Sequence, residues 1–200
     1  TWNSIGQDMI FQSAKPLVVF EGETDVKYVK RALELIKQVK PKYKAFSADL
    51  INANGAGNVK SFIDNLLEVI NPTKKIVVFF DRDDAGKNGA AAVAGISKSD
   101  ERIVHYRDIQ TGNITVSFIP YKDGITDGDF LIEDYFLWDG TLNQIFEDLI
   151  PKKKNPIKNL PNLSDRLKKA IENKLYQFEL ADFIGFIPLL DKIMNLSQDG

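Results

Sequence analysis

The chain contains no cysteine and only one histidine, His105. Disulfides, cysteine nucleophiles, structural zinc and two-histidine metal motifs are excluded together, because each needs residues the sequence lacks. Any bound metal must therefore be a hard cation held by oxygen ligands. Long apolar runs are missing too: none approaches the roughly 20 residues that span a bilayer, so no membrane partner is expected. The chain opens Thr1-Trp2 with no start methionine, basic n-region or signal-like apolar stretch. The expectation is a piece of a longer cytoplasmic protein. Bulk charge of one sign is also absent. The formal net charge of −2 supplies no general attraction for a polyanion.

The charge is unevenly placed. From residue 152 to 174 the sequence has eight basic residues (Lys152, Lys153, Lys154, Lys158, Arg166, Lys168, Lys169, Lys174) against Asp165 and Glu172, a local net of +6. The rest of the chain then carries −8. Either a solvated helical face or a phosphate-contacting patch accounts for such a run.

Leu17-Val18-Val19-Phe20 is a continuous apolar run ending in Glu21-Gly22, the pattern of a buried parallel strand. Thr24 is placed to cap the segment that follows, where Val26, Val29, Leu33 and Ile36 recur at helical spacing. Residues 43–52 supply a second strand, and Asn54-Gly55-Ala56-Gly57 turns out of it into a second amphipathic helix stopped at Asn71-Pro72. Residues 76–80 form the strongest strand and run straight into Asp81; Asp84 then caps a glycine-weakened helix over 85–94. Residues 114–119 make a fourth strand. Alternating strands and helices predict an α/β fold with a mostly parallel central sheet flanked by helices. The texture then changes to a Gly/Asp-rich loop (123–129), a segment 130–138, a helix over 141–149, a Pro/Lys connector (151–161) and a helical tail (164–196) broken around 185–188. The expected division is an N-terminal extension (1–15), a catalytic domain (16–138) and a helical C-terminal appendage (139–200).

Parallel sheets place ligand sites at the carboxyl ends of their strands. Glu21 and Asp81 both fall there, and Asp83 lies two residues beyond. Crowded carboxylates repel one another unless a cation neutralises them. Mg²⁺ takes one or two carboxylates together with water and phosphate, so the pattern suggests phosphate chemistry. Each acid also has a plain reading: Asp25 as a first-turn acid favoured by the helix dipole, Asp84 as a cap, Glu133 as a surface acid.

Leu17-Val18-Val19-Phe20-Glu21-Gly22-Glu23-Thr24-Asp25 resembles the Val-Glu-Gly-x-x-Asp motif that opens the Toprim (Rossmann-like) domain. The run from Val77 through Asp81-Arg82-Asp83-Asp84-Ala85-Gly86 resembles its Asp-x-Asp-x-x-Gly motif. Within that superfamily the chain is most similar to OLD-family nucleases, including the Gabija-like nucleases of anti-phage defence. Ile132-Glu133-Asp134-Tyr135-Phe136 resembles their later acidic motif, although Leu131 stands where they often carry serine. The resemblance implies a metal-dependent DNA endonuclease using two Mg²⁺ or Mn²⁺ ions. It assigns the first ion to Glu21, Asp25 and Asp81, and the second to Asp81 or Asp83 with Glu133. It also implies a catalytic lysine, for which Lys174 is the first choice and Lys168 and Lys169 are alternatives. The partners it implies are DNA, an N-terminal ATPase domain outside this chain and possible further copies of the chain.

Other classes are weighed beside it. A non-catalytic Toprim scaffold binding DNA or a partner protein keeps the fold without the chemistry. A haloacid dehalogenase-type phosphatase also places Asp-x-Asp after an apolar strand, but its motif calls for threonine where Ala85 stands, and lies on the first strand. Topoisomerases and primases need a tyrosine nucleophile or a polymerising subdomain beyond this chain.

Overall fold

The structure is a computed structural model and describes residues 10–70, 73–137, 142–145 and 163–198. Most of the expected N-terminal extension, the connector 151–161 with Lys152, Lys153, Lys154 and Lys158, and Asn71-Pro72 lie outside the described residues. Of the helix expected over 141–149, residues 142–145 are helical and the rest falls outside them.

Five strands form one sheet in the order β2-β1-β3-β5-β4: β1 (Leu17–Phe20), β2 (Asp49–Asn52), β3 (Ile76–Phe80), β4 (Ile109–Thr111) and β5 (Ile114–Phe118). β1, β2, β3 and β5 run parallel, and β4 joins β5 antiparallel. The helices are α1 (Glu23–Val39), α2 (Val59–Leu67), α3 (Asp84–Ala94), α4 (Glu101–Val104), α5 (Leu163–Lys174), α6 (Leu180–Phe183) and α7 (Ile187–Gln198).

Both faces of the sheet are covered, which is why β1 and β3 read as unbroken apolar runs. Val18, Phe20, Val77 and Phe79 point to one face, where α1 packs with Ile171, Phe183, Phe186, Leu189, Leu190 and Ile193 of the C-terminal helices. Leu17, Val19, Ile76, Val78 and Phe80 point to the other, against α2, α3 and α4. The tail is thus part of the core and covers one face of the central sheet.

Two local expectations are corrected, and one strand is added. Residues 41–45, beginning at Pro41, form a 3₁₀ turn, so β2 is shorter than the run 43–52. Proline fixes φ in the helical range and removes an N–H, and both effects work against a strand. The tail has a second break, at Phe178-Glu179, beside the expected one at the 3₁₀ turn Ile184–Phe186. β4 had no counterpart in the reading of the sequence. It is a three-residue edge strand turned back through Gly112, whose φ is +61°.

Candidate metal centre

The carboxyl ends of β1 and β3 bring Glu21 and Asp81 side by side. Glu21 Oε1 accepts the Asp81 backbone N–H at 2.9 Å, linking the two strand ends directly. Each acid is followed by a helix start that explains its motif spacing. Gly22 is the N-cap of α1, and Asp25 Oδ2 accepts the Gly22 N–H at 2.8 Å. Thr24 is therefore inside the helix, not at its cap. On β3 the cap is Asp83, whose Oδ1 accepts the Gly86 N–H at 2.7 Å. Asp84, expected to cap, points to solvent with 96% of its side chain exposed. Asp83 stays close enough to push the Glu21 pKa upward, but one of its oxygens is committed to the helix.

Gly86 has a steric reason. A Cβ there would sit 2.0 Å from the Asp81 carbonyl oxygen, so only glycine lets α3 start against the strand end. Gly89 repeats the device one turn later, where a Cβ would fall 2.5 Å from the Phe80 ring.

Glu133 enters from the 3₁₀ turn Ile132–Tyr135. Two bonds fix that turn to the β3 exit: Arg82 N–H donates to the Phe130 carbonyl at 2.8 Å, and Ile132 N–H donates to Asp81 Oδ1 at 3.2 Å. The Tyr135 hydroxyl donates to the Pro120 carbonyl and Lys122 donates to the Asp134 carbonyl. Glu133 is buried, so its plain reading as a surface acid does not hold.

Asp25, Asp81 and Glu133 are each less than a tenth exposed. Lys168 of α5 meets them, its Nζ 3.5 Å from Glu133 Oε1 and 3.9 Å from Asp81 Oδ2. These are ion pairs at long range and not hydrogen bonds. Lys174, the first-choice lysine, is not the one presented. At 3.6 residues per turn the two lysines flank opposite sides of the buried row Leu167, Ile171 and Leu175. Only the Lys168 side faces the acids.

Burial dominates the electrostatics. It raises the Glu21 carboxyl to about 7 against the lowering effect of the Asp81 amide, with Asp25 and Asp83 adding to the rise. It also raises Glu133 to about 7, opposed by Lys168. Asp81 is pushed well above its ordinary value by burial, then by Asp25 and Glu21. Asp25 is raised by burial, which outweighs Lys168 and the Gly22 amide. Lys168 itself moves up: burial opposes its charge, but Glu133, Asp25, Asp81 and Glu21 together outweigh burial.

Does this set suit a cation? Both oxygens of Glu133, and Asp25 Oδ1, are buried without a hydrogen-bond partner. A buried acceptor left unpaired costs about 1–3 kcal/mol, and more if charged. A hard cation is the ligand that all-oxygen donors of this kind would satisfy. Among the described residues, no three acidic side chains stand close enough to enclose an ion as they are, so the fit rests on the unpartnered oxygens and their chemistry. No family model, curated protein or solved structure matches the chain.

Proposed function

We propose that this chain is the Toprim-type catalytic domain of an OLD-like nuclease and hydrolyses phosphodiester bonds in DNA with Mg²⁺ or Mn²⁺. The observation that carries the reading is the convergence of Glu21, Asp25, Asp81 and Glu133 from three separate segments, with three of their buried oxygens unpartnered. Glu21, Asp25 and Asp81 would hold one ion, and Asp81 with Glu133 a second; Asp83 is within electrostatic reach of Glu21 while capping α3. Divalent ions supply Lewis-acid activation of water and of the leaving oxygen in in-line displacement.

The chain's own residues do the rest. The Glu21–Asp81 bond fixes the relative position of two acids. The Asp81–Ile132 bond fixes Glu133 against them. Lys168 holds a permanent positive charge where phosphate charge would build up in the transition state, an electrostatic role worth on the order of 10²–10³ in rate. Defence against phage and the company of an ATPase domain belong to the same proposal, through the family resemblance.

One observation favours a second reading. Lys168 already supplies an internal counter-charge to the acids, as a non-catalytic scaffold that binds DNA or a partner would need. Cleavage of supercoiled plasmid in Mg²⁺ or Mn²⁺ separates the two. Nicking or linearisation by the wild type and not by Asp81→Ala is the expected result. Calorimetry showing no Mg²⁺ or Mn²⁺ binding by the folded wild type, together with no cleavage, would leave only the scaffold.

A further inference from the structure

α5 carries Lys168 on the side facing the acids, and its opposite face is a solvent-exposed stripe. Arg166, Lys169, Asn173 and Tyr176 are all exposed, and their spacing places them within an arc of about 80° on a helix. Among the described side chains, no acid lies within that arc. A solvated face explains an arginine, a lysine and an asparagine. It does not explain Tyr176, which is 81% exposed, the highest figure among the large hydrophobic side chains of the described residues. Nor is the ring held by packing alone. The Arg31 guanidinium of α1 lies 5.4 Å from its centroid and holds it from one side. Arg31 is in turn fixed by Glu34 at 3.0 Å. A braced, outward-facing aromatic in line with cationic side chains is the arrangement that binds single-stranded nucleic acid: backbone charge is met by Lys and Arg, and a base stacks on the ring.

We infer that the stripe formed by Arg166, Lys169 and Asn173 of α5 and Tyr176 of the 3₁₀ turn Leu175–Gln177 is a track for single-stranded DNA, with Tyr176 as the base-stacking platform. The inference rests on the nuclease reading for its substrate. Its geometry depends on α5, on the 3₁₀ turn Leu175–Gln177 and on Arg31 of α1. From Arg166 to Tyr176 the chain rises roughly 15 Å, about four stacked nucleotide steps. A single strand is favoured over a closed duplex because a paired base has no free face to offer an isolated ring.

The test is equilibrium binding of a fluorescein-labelled single-stranded oligothymidylate to the full chain in Ca²⁺, followed by anisotropy over a range of salt. Tyr176→Ala is expected to weaken binding roughly tenfold, while Tyr176→Phe, which keeps the ring, binds as wild type. Arg166→Gln with Lys169→Gln should reduce the slope of log K against log salt by about 1.4, since each phosphate contact on a single strand contributes about 0.7. All four positions are at the surface, so folding is unaffected and is checked by the melting curve. Wild-type affinity and slope in all these variants would overturn the track, as would equal loss in Tyr176→Ala and Tyr176→Phe. If the binding results hold but no plasmid is cleaved and no Mg²⁺ or Mn²⁺ is bound, the track stands and the hydrolytic reading falls.

Discussion

Asp83 sits in both candidate motifs of function and of structure, and its substitutions can tell the two apart. As the N-cap of α3 it accepts the Gly86 amide at 2.7 Å. Asparagine caps about as well as aspartate, whereas alanine costs about 1 kcal/mol. Asp83→Asn should therefore keep the melting temperature within about a degree or two, and Asp83→Ala should lower it by several degrees. If plasmid cleavage survives in Asp83→Asn, the cap is the whole role of the residue; if cleavage is lost at wild-type stability, its charge also serves the site. Gly86 gives a harsher case. A methyl group 2.0 Å from the Asp81 carbonyl oxygen cannot be accommodated by a rotamer change, because both groups are backbone. Gly86→Ala should cost about 1–3 kcal/mol as overpacking and displace Asp81, which calorimetric melting and metal titration would both register. Lys168 and Lys174 are separated in the same manner. Lys168→Met is expected to lower kcat/KM on plasmid by about 10²-fold or more, and Lys174→Met by less than a few-fold. The reverse ranking would sink the assignment of Lys168.

At the scale of elements, the strand ends and helix starts that gather the acids set a pH dependence. Glu21 and Glu133 rise from an ordinary 4.5 to about 7 in the folded chain. Between those values the folded state binds more protons than the unfolded state, so stability falls as pH rises through the window and levels off above it. Asp25 and Asp81 move in the same direction. The metal-free protein should melt several degrees lower at pH 8 than at pH 5.5, and Mg²⁺ should restore much of the difference. Glu133→Gln removes a buried charge, and in chelator at pH 8 it should raise Tm by roughly 3–6 °C. A flat pH profile would mean that the acids are more hydrated than their burial implies.

Those strand ends were also what the sequence displayed most clearly. β1 and β3 were legible to the residue, because each is an unbroken apolar run closed by an acid and buried on both faces. The glycines of α3, which read as weakening the helix, are also the means of its close approach to Phe80 and Asp81. β4 was missed although a signal existed: Gly112-Asn113 between Ile109-Gln110-Thr111 and Ile114 is a hairpin turn with alternating flanks. The placement of Lys168 was not legible. Which side of α5 faces the acids depends on how the helix docks on α1, through the Tyr28 hydroxyl on the Lys168 carbonyl at 3.0 Å and the Lys27–Glu172 ion pair. Periodicity gives the buried row of a helix but not what lies on either side of it.

For the molecule as a whole, that docking decides whether residues 163–198 are an appendage or part of the fold. Phe183, Phe186, Leu189, Leu190 and Ile193 are fully buried, and they cover the sheet face formed by Val18, Phe20, Val77 and Phe79. Phe136, three residues beyond Glu133, packs its ring against Tyr28, Phe178, Phe183 and Phe186 at centroid distances of 5.0–5.5 Å. Gly185 closes the same contact, since a Cβ there would lie 2.0 Å from the Tyr135 carbonyl oxygen. Removing the tail would thus uncover the part of that face not covered by α1, in a sheet that needs both faces covered. It would also free the turn that aims Glu133. A chain ending at residue 137 is therefore expected to keep some secondary structure by far-UV circular dichroism, to bind a hydrophobic dye and to show no cooperative melt. If the tail folds as a separable unit, the shortened chain will melt cooperatively and lose only the contribution of Lys168. Cooperative melting with intact metal binding would overturn the single-core description and return the C-terminal helices to the status of a separable module.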